Sequence, residues 1–191
     1  KAAIYPLHLW LPNAYTFAPS AVTAFLAATA TKVAIYVLLR FMFSIFQPSL
    51  LFELNTIEYI IMPLAILAMF AASFIAIYQT DLKRLLAYSS LAQIGYMMLG
   101  IGLLTETGLT AAIAHLFNHG ITKAALFMGV GAIVMRNGGS FFDRITGVGK
   151  TMPLTAAAMV IGGLSLIGVP GTAGFISKWV LVQAAGNNDI E

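Results

Sequence analysis

The amino-acid sequence predicts an all-α membrane protein, a polytopic bundle of transmembrane helices in which one helix is discontinuous. Of the 191 residues, 60% are hydrophobic and only 9% are charged, and the mean hydropathy is +0.90. Several apolar runs exceed the roughly 20 residues that a helix needs to cross a bilayer. A stretch rich in glycine and proline interrupts the last run. We expect residues 1–191 to form a single membrane domain in a multi-pass protein of the cell (inner) membrane.

Five apolar segments follow a short apolar stretch at the start of the chain. The stretch Ile4–Leu11 is too short to span a membrane and ends at Pro12, so it is predicted to be the tail of a helix whose beginning is missing. The chain also lacks an initiator methionine, and we expect it to be a fragment. The spans are predicted, in order, at Pro19–Phe46 (segment A), Ile57–Tyr78 (B), Leu86–Leu104 (C), Leu109–Met135 (D) and Met152–Ala185 (E). Pro19 suits the first turn of segment A.

Segment E is too long for one straight helix. Its 34 residues would extend roughly 50 Å, beyond a hydrocarbon layer of roughly 30 Å. The sequence Gly-Val-Pro-Gly-Thr-Ala-Gly at 168–174 lies in its middle, and it lacks the Gly-Lys-Ser/Thr ending of a nucleotide loop. We predict a discontinuous helix that is broken at Gly168, Pro170, Gly171 and Gly174. Simple helix packing is the alternative explanation of these glycines.

The charges of the loops predict the orientation in the membrane. The A–B and C–D loops carry Glu53 and Glu106 and contain neither lysine nor arginine. The B–C loop carries Lys83 and Arg84, and the D–E loop carries three further basic residues. Because basic loops favour the cytoplasmic side, we predict that the B–C loop, the D–E loop and residues 12–18 are cytoplasmic.

Lysines lie within the apolar segments, whereas acidic residues do not. Lys32 lies eleven residues past Ala21, roughly 17 Å into the bilayer, where a charge costs on the order of 3 kcal/mol. Lys123 lies inside segment D, Lys178 follows the break in segment E, and Lys1 opens an apolar stretch. All seven acidic residues fall in loops, at span edges or in the tail. The lysines must therefore lose their protons or find carboxylates that this chain does not contain.

Segment D carries a row of titratable side chains. His115, His119 and Lys123 are spaced at i, i+4 and i+8, which places them on one helix face at steps of roughly 6 Å. Histidine titrates near physiological pH, so such a row can pass a proton along with intervening water. The alternatives are histidines that only bind neighbouring helices, or a zinc site, for which the segment contains no carboxylate or cysteine. We expect no metal site.

Other residues leave more than one interpretation open. Lys32 is either a proton carrier or a structural cation that is satisfied by carbonyls or by an acid of a missing subunit. Ser89, Ser90 and Gln93 in segment C fit helix packing and the lining of a water path equally. The chain contains no cysteine and is expected to hold no cofactor. Its ten basic residues are dispersed, which argues against nucleic acid as a partner.

A series of motifs follows one order along the chain. They are Pro-Leu-His-Leu-Trp-Leu-Pro at 6–12, Ala-Pro-Ser-Ala-Val-Thr-Ala at 18–24, the stretch from Lys32 to Arg40, and the blocks at 81–95, 115–127 and 168–179. This series resembles the antiporter-like membrane subunits shared by respiratory complex I (NADH:quinone oxidoreductase) and Mrp-type cation/proton antiporters. The resemblance covers essentially the whole chain. It implies that the chain is a fragment of an inverted-repeat antiporter-like fold.

The resemblance also implies roles for the buried lysines and histidines. Lys1 and Lys178 would occupy the broken helices of two inverted repeats. The residues that would link them across the membrane plane are Lys32, His115, His119 and Lys123. Together these six residues form the predicted proton path.

The sequence is most similar to the D-type subunit of Mrp antiporters, because position 178 is lysine rather than glutamate and residues 29–32 read Thr-Ala-Thr-Lys. Asn13 stands where many family members have aspartate. We therefore predict a proton-translocating subunit of a Na⁺/H⁺ antiporter complex, a transport component and not itself a catalyst. Its partners would be other membrane subunits, protons, a monovalent cation and the lipid bilayer. The alternatives are a proton-pumping subunit of complex I or of a membrane hydrogenase, and a structural membrane scaffold.

Overall fold

A computed structural model of the chain describes residues 2–45 and 56–186. Within these residues the chain is almost entirely helical, and β-structure is limited to one isolated bridge. Lys1, the A–B loop with Glu53, and the end of the chain beyond Gly186 lie outside the described residues. The predictions for Lys1 and for that loop therefore stay predictions.

The described residues form nine α-helices and one π-helical turn. In order they are α1 (Trp10–Phe17), α2 (Ser20–Arg40), the π-helical turn Phe41–Ile45, α3 (Thr56–Ile77), α4 (Leu82–Gly102), α5 (Glu106–Asn137), α6 (Phe142–Ile145), α7 (Val148–Thr151), α8 (Pro153–Ile167) and α9 (Ala173–Gly186). Among the described helices, α2 with its π-helical turn, α3, α4 and α5 are each long and apolar enough to cross a membrane. Segments A to D correspond to these four helices, and segment E corresponds to α8 and α9. The predicted all-α membrane bundle is confirmed.

The start of the chain differs from the prediction. The sequence predicts that a helix ends at Pro12, whereas α1 begins at Trp10 and contains Pro12 in its first turn. Proline is tolerated there because the first N–H groups of a helix have no intrahelical acceptor. Residues 12–17 are therefore helical, and Pro19 stands just before α2 rather than inside its first turn.

Helices α4 and α5 extend past the predicted spans at their polar ends. The carboxylate of Asp81 caps α4 by accepting a hydrogen bond from the backbone N–H of Arg84 at 3.1 Å. The hydroxyl oxygen of Thr105 caps α5 by accepting one from the N–H of Gly108 at 3.0 Å. Hydropathy marks only the apolar part of a helix, so the capped polar turns fall outside the predicted bounds.

Helix α4 lies at the centre of the bundle. It is buried over most of its length and packs against α1, α3 and α5. Helix α5 packs in turn against α2, α4, α8 and α9. The outward face of α3 carries exposed aromatic side chains such as Phe70 and Phe74, as suits contact with lipid. The interface between α4 and α5 thus brings the polar residues of segments C and D together.

The B–C and D–E loops lie on the same side of the bundle. The backbone of Asp81 pairs with that of Phe141, and the N–H of Leu82 donates to the carbonyl of Ser140 at 2.9 Å. The Ser140 hydroxyl also donates to the Asp81 carboxylate at 2.6 Å. The basic charges of the two loops predicted a common side. That this side is cytoplasmic stays a prediction.

Candidate functional site

The chain between α8 and α9 is not helical. Residues 168–172 separate the end of α8 from the start of α9, which confirms the predicted discontinuous helix. Gly168 and Gly171 have φ angles of 89° and 90°, a left-handed conformation that side chains other than glycine rarely adopt. Pro170 lies in the turn between these glycines and has no N–H with which to continue the helix.

Gly174, which was predicted to be part of the break, lies instead in the first turn of α9. A Cβ atom at this position would collide with the backbone carbonyl oxygen of Ser165 on α8. The N–H of Gly174 donates to the Ser165 hydroxyl oxygen at 3.2 Å. Glycine is needed here because α8 and α9 approach each other closely.

Lys178 of α9 binds the exposed carbonyl end of α8. Its Nζ donates to the carbonyl of Leu166 at 2.6 Å and to that of Ile167 at 3.2 Å. It also lies 4.6 Å from the centroid of the Tyr96 ring on α4. The last carbonyls of a helix lack intrahelical partners and form the negative end of its dipole, so they attract a cation. The helix break therefore supplies the groups that hold the Lys178 amine.

His115 connects α5 with both α4 and α9. Its Nε2 lies 2.8 Å from Oε1 of Gln93, and its Nδ1 lies 2.9 Å from Oγ of Ser177. Because an amide oxygen can only accept, Nε2 carries a proton in this arrangement and donates it to Gln93. The Ser177 hydroxyl has one proton, which it donates either to Nδ1 or to the carbonyl of Gly174, 3.2 Å away. The site thus accommodates a neutral and a doubly protonated His115.

His119 lies one helical turn further along α5 and stacks on His115. The two ring centroids are 6.0 Å apart and the ring planes differ by 5°. His119 is buried, and neither of its ring nitrogens reaches a hydrogen-bond partner among the described residues. Buried polar atoms are normally hydrogen-bonded, and internal water is a common partner. His119 therefore has hydrogen-bonding capacity that water can use.

Lys123 completes the row on α5 and is fully buried. Its Nζ donates to the carbonyl of Leu86 at 2.7 Å and to the hydroxyl oxygen of Ser89 at 2.6 Å, both on α4. Ser89 and Ser90 both donate to that same carbonyl on their own helix, at 3.0 Å. Of the two serines, Ser89 is the one that also accepts a hydrogen bond from Lys123.

Lys32 is buried on α2 and faces α5. Its Nζ donates to the carbonyl of Ala27 on its own helix, and the side chain lines a groove of about 590 Å³ between α2 and α5. A Cβ atom at Gly120, the residue after His119, would lie 3.9 Å from Cε of Lys32. A Cβ atom at Gly120 would lie 3.2 Å from the carbonyl oxygen of Ala28. The missing side chain of Gly120 therefore allows α2 to approach α5 beside Lys32.

Known proteins of similar sequence decide the family. Residues 1–190 match the family described as NADH:quinone oxidoreductase/Mrp antiporter, TM. The chain belongs to this family. It is 39% identical over 182 residues to NADH-quinone oxidoreductase subunit N of Desulforudis audaxviator, a match that covers 95% of this chain and 36% of that protein. It is 36% identical over 189 residues to the D-type subunit of a Na(+)/H(+) antiporter from Alkalihalophilus pseudofirmus, a match that covers 99% of this chain and 38% of that protein.

A solved structure agrees with this membership. A chain in the structure of the Mrp complex from Dietzia sp. superimposes with a TM-score of 0.90 at 34% identity, covering 98% of this chain and 34% of that one. The chain therefore spans little more than a third of the length of these relatives. The resemblance found in the sequence is confirmed, and the chain is a multi-pass membrane protein. The similar identities to the oxidoreductase subunit and to the antiporter subunit do not separate these two kinds of protein.

For this antiporter-family chain, the structure brings five of the six predicted path residues into one polar cluster. They are Lys32, His115, His119, Lys123 and Lys178, and Lys1 lies outside the described residues. The hydrogen-bond partners of the three lysines in this cluster are carbonyl and hydroxyl oxygens. Backbone carbonyls also bind an ammonium, an alternative that the sequence analysis considered for Lys32 but not for Lys123 or Lys178.

Two residues of this cluster, Ser177 and Tyr96, were not predicted from the sequence. Ser177 directly precedes Lys178, and Tyr96 follows Gln93 by three positions, one helical turn along α4. The three-residue spacing between Gln93, a candidate in the sequence analysis, and Tyr96 could have indicated that Tyr96 lies on the same face of α4. Among the described residues, no three His, Cys, Asp or Glu side chains lie close enough together to hold a metal ion.

Proposed function

We propose that the chain is part of a proton-translocating subunit of an Mrp-type Na⁺/H⁺ antiporter complex, embedded in the cell (inner) membrane beside other integral membrane subunits. The observation that carries this proposal is the polar cluster, in which His115, Lys123 and the half-buried Lys178 have neutral hydrogen-bond partners. Lysine at position 178 and the Thr-Ala-Thr-Lys sequence at 29–32 favour the D-type subunit.

Neutral partners suit groups that must gain and lose protons. A lysine paired with a carboxylate gives up its proton only by leaving an unpaired acid in a medium of low polarity. A neutral amine, in contrast, still donates to the carbonyl of Leu86 or of Leu166. Lys123 and Lys178 can therefore change charge while they keep hydrogen-bonding partners.

The order of the groups suggests the route of the proton. Lys178 lies at the helix break, His115 binds the adjacent Ser177, and His119 stacks on His115. The ring spacing of 6.0 Å leaves a gap that one bridging water can close. Lys123 follows His119 by one helical turn, and Lys32 lies beside Gly120, the residue after His119. A proton that moves in this order travels across the bundle from α9 to α2.

A redox-driven proton-pumping subunit of complex I, or of a related membrane hydrogenase, is the second candidate. It is favoured by the 39% identity to a protein named NADH-quinone oxidoreductase subunit N. In that case the same cluster would carry protons, and electron transfer in partner subunits would drive them. A structural membrane scaffold is the third candidate, in which the lysines only bind neighbouring helices.

Everted membrane vesicles that contain the full-length protein in its complex test these candidates. An antiporter should dissipate a preformed pH gradient when NaCl is added, and an equal concentration of choline chloride should not. A gradient that does not respond to Na⁺, with protons that move only when an electron donor is supplied, would replace the antiporter by the redox-driven candidate. Full Na⁺ response after replacement of Lys32, Lys123 and Lys178 together by methionine would favour the scaffold role for these lysines.

A further inference from the structure

The amine of the half-buried Lys178 contacts three groups, which we call the Lys178 cage. Two are the carbonyls of Leu166 and Ile167 at the end of α8, and the third is the face of the Tyr96 ring, with Nζ 4.6 Å from its centroid. The carbonyls belong to the broken helix that also carries Lys178, whereas Tyr96 belongs to α4. The cage therefore joins the helix break to the central helix of the bundle.

The three groups respond differently to the charge of the amine. A neutral amine still donates hydrogen bonds, so the carbonyls of Leu166 and Ile167 bind Lys178 in both of its states. The face of an aromatic ring carries negative potential and attracts a cation, but it has no comparable attraction for a neutral amine. The carbonyls at the negative end of the α8 dipole bind the protonated amine more strongly than the neutral one, and the Tyr96 ring adds an attraction that only the protonated amine experiences.

The position of the Tyr96 ring is fixed by its surroundings. The side chain packs against a buried apolar cluster that includes Leu103 and Leu181. The ring also lies 6.1 Å from the imidazole of His115, tilted by 58°. His115 is itself bonded to both α4 and α9. The Tyr96 ring therefore lies next to both the amine of Lys178 and the imidazole of His115, the first group of the row on α5.

The ionisable side chains beside the Lys178 cage lie on α4 and α5. They are Tyr96 itself, His115, whose ring lies 6.1 Å from the Tyr96 ring, and His119, which stacks on His115. Helix α8 contains no ionisable side chain, and Lys178 is the only one in α9. Within the Lys178 cage, the Tyr96 ring face is therefore the group that favours the protonated amine over the neutral amine in addition to the carbonyl end of α8.

We propose that Tyr96 is a positioning residue whose ring face holds the protonated amine of Lys178 at the end of α8, and so sets the pH at which Lys178 releases its proton. The proposal rests on the proposed function and deepens it. It assigns to an aromatic ring the part that a buried carboxylate would otherwise play in stabilising a lysine cation inside the membrane.

The test weakens the negative potential of the ring without changing its shape. In the full-length protein within its complex, Tyr96→Phe serves as the reference, and phenylalanines with one, two and three ring fluorines then replace Tyr96. Two pH profiles are measured: the labelling of the Lys178 amine by a small amine-reactive reagent, quantified by peptide mass spectrometry, and the cation-driven proton movement. The same fluorinated series at Phe70, an exposed residue of α3, is the matched control.

We expect the labelling midpoint to move to lower pH with each added fluorine, by up to about one pH unit over the series, because the protonated amine loses its attraction to the ring. The series at Phe70 should leave the midpoint in place. A labelling midpoint that stays at the same pH when position 96 is fluorinated would overturn the proposal. If Tyr96→Leu then reduced assembly, the ring would be a packing residue only.

The labelling does not require transport, so the two proposals fail separately. A graded labelling shift in a complex that shows no Na⁺-driven proton movement would keep the role of Tyr96 and reject the antiporter function. Na⁺-driven proton movement with no labelling shift would keep the antiporter function and reject the role of Tyr96.

Discussion

Lys123 and Lys32 are two buried lysines on facing helices, and their surroundings differ. Lys123 donates to two oxygens of another helix, the carbonyl of Leu86 at 2.7 Å and the hydroxyl of Ser89 at 2.6 Å. Lys32 donates to the carbonyl of Ala27 on its own helix and lines a groove between α2 and α5. The hydrogen bonds of Lys123 thus connect two helices, whereas the hydrogen bond of Lys32 lies within one helix.

This difference indicates different parts in one proton path. Moving the Lys123 amine would break bonds that connect α4 and α5. The Lys32 amine can change its partner by rotating its side chain, because its hydrogen bond to Ala27 connects no two helices. We therefore interpret Lys123 as a fixed group and Lys32 as an adjustable one beside His119. The following variants test this comparison.

The largest effect is expected for Lys123→Met, which keeps a long side chain at a fully buried position but removes the amine. Because the fixed group of the path is then absent, transport should fall by about ten-fold or more. The measurement is cation-driven proton movement in everted vesicles, normalised to the amount of assembled complex. Parental activity at a normal level of assembly would remove Lys123 from the path.

An intermediate effect is expected for Ser89→Ala, which removes one of the two partners of Lys123. A hydrogen bond to a charged group is lost, and we expect transport to fall by about three- to ten-fold. Ser90→Ala is the matched control, because Ser90 and Ser89 make the same hydrogen bond to the Leu86 carbonyl, and of the two only Ser89 accepts a hydrogen bond from Lys123. Equal effects of the two alanines would show that the loss comes from helix packing and not from the tie to Lys123.

The smallest effect is expected for Gly120→Ala, beside Lys32. The new Cβ atom would lie 3.2 Å from the carbonyl oxygen of Ala28, so α2 must move by a few tenths of an ångström. We expect transport to fall by about two-fold, because small displacements of proton-transfer groups slow the transfer.

The thermal midpoint of the Gly120→Ala complex should change little, because alanine favours the helix by up to about 1 kcal/mol and offsets the tight contact. Gly163→Ala on α8 is the control, since a Cβ atom there meets nothing within 4 Å. A transport loss of the same size in the control would contradict the account of the α2–α5 contact.

Most of the fold was predictable because bilayer thickness and hydropathy fix the number and length of the spans. The helix break was predictable for a similar local reason, since Gly168, Pro170 and Gly171 disfavour a continuous helix. The ends of α4 and α5 and the whole of α1 were less predictable. They depend on capping by polar residues and on a proline that the first turn of a helix tolerates.

For the candidate site, only the relative positions of residues within one helix were predictable from the sequence. Spacing alone placed His115, His119 and Lys123 on one face of α5. The contacts between helices were not predictable, because they depend on how α9 is positioned after the break and on its register with α4. For this reason the sequence did not predict Ser177 and Tyr96 as site residues. Ser177 is hydrogen-bonded to His115, and the Tyr96 ring contacts the amine of Lys178.

Substitutions of Lys32 test most directly whether buried lysines of this chain carry protons. Arginine keeps a permanent positive charge at this position, whereas methionine keeps most of the packing without a charge. If Lys32 carries protons, Lys32→Arg and Lys32→Met should both lose cation-driven proton movement in everted vesicles while the complex still assembles. Near-parental activity of Lys32→Arg would show that a fixed positive charge suffices there, and would contradict the claim that buried lysines carry protons.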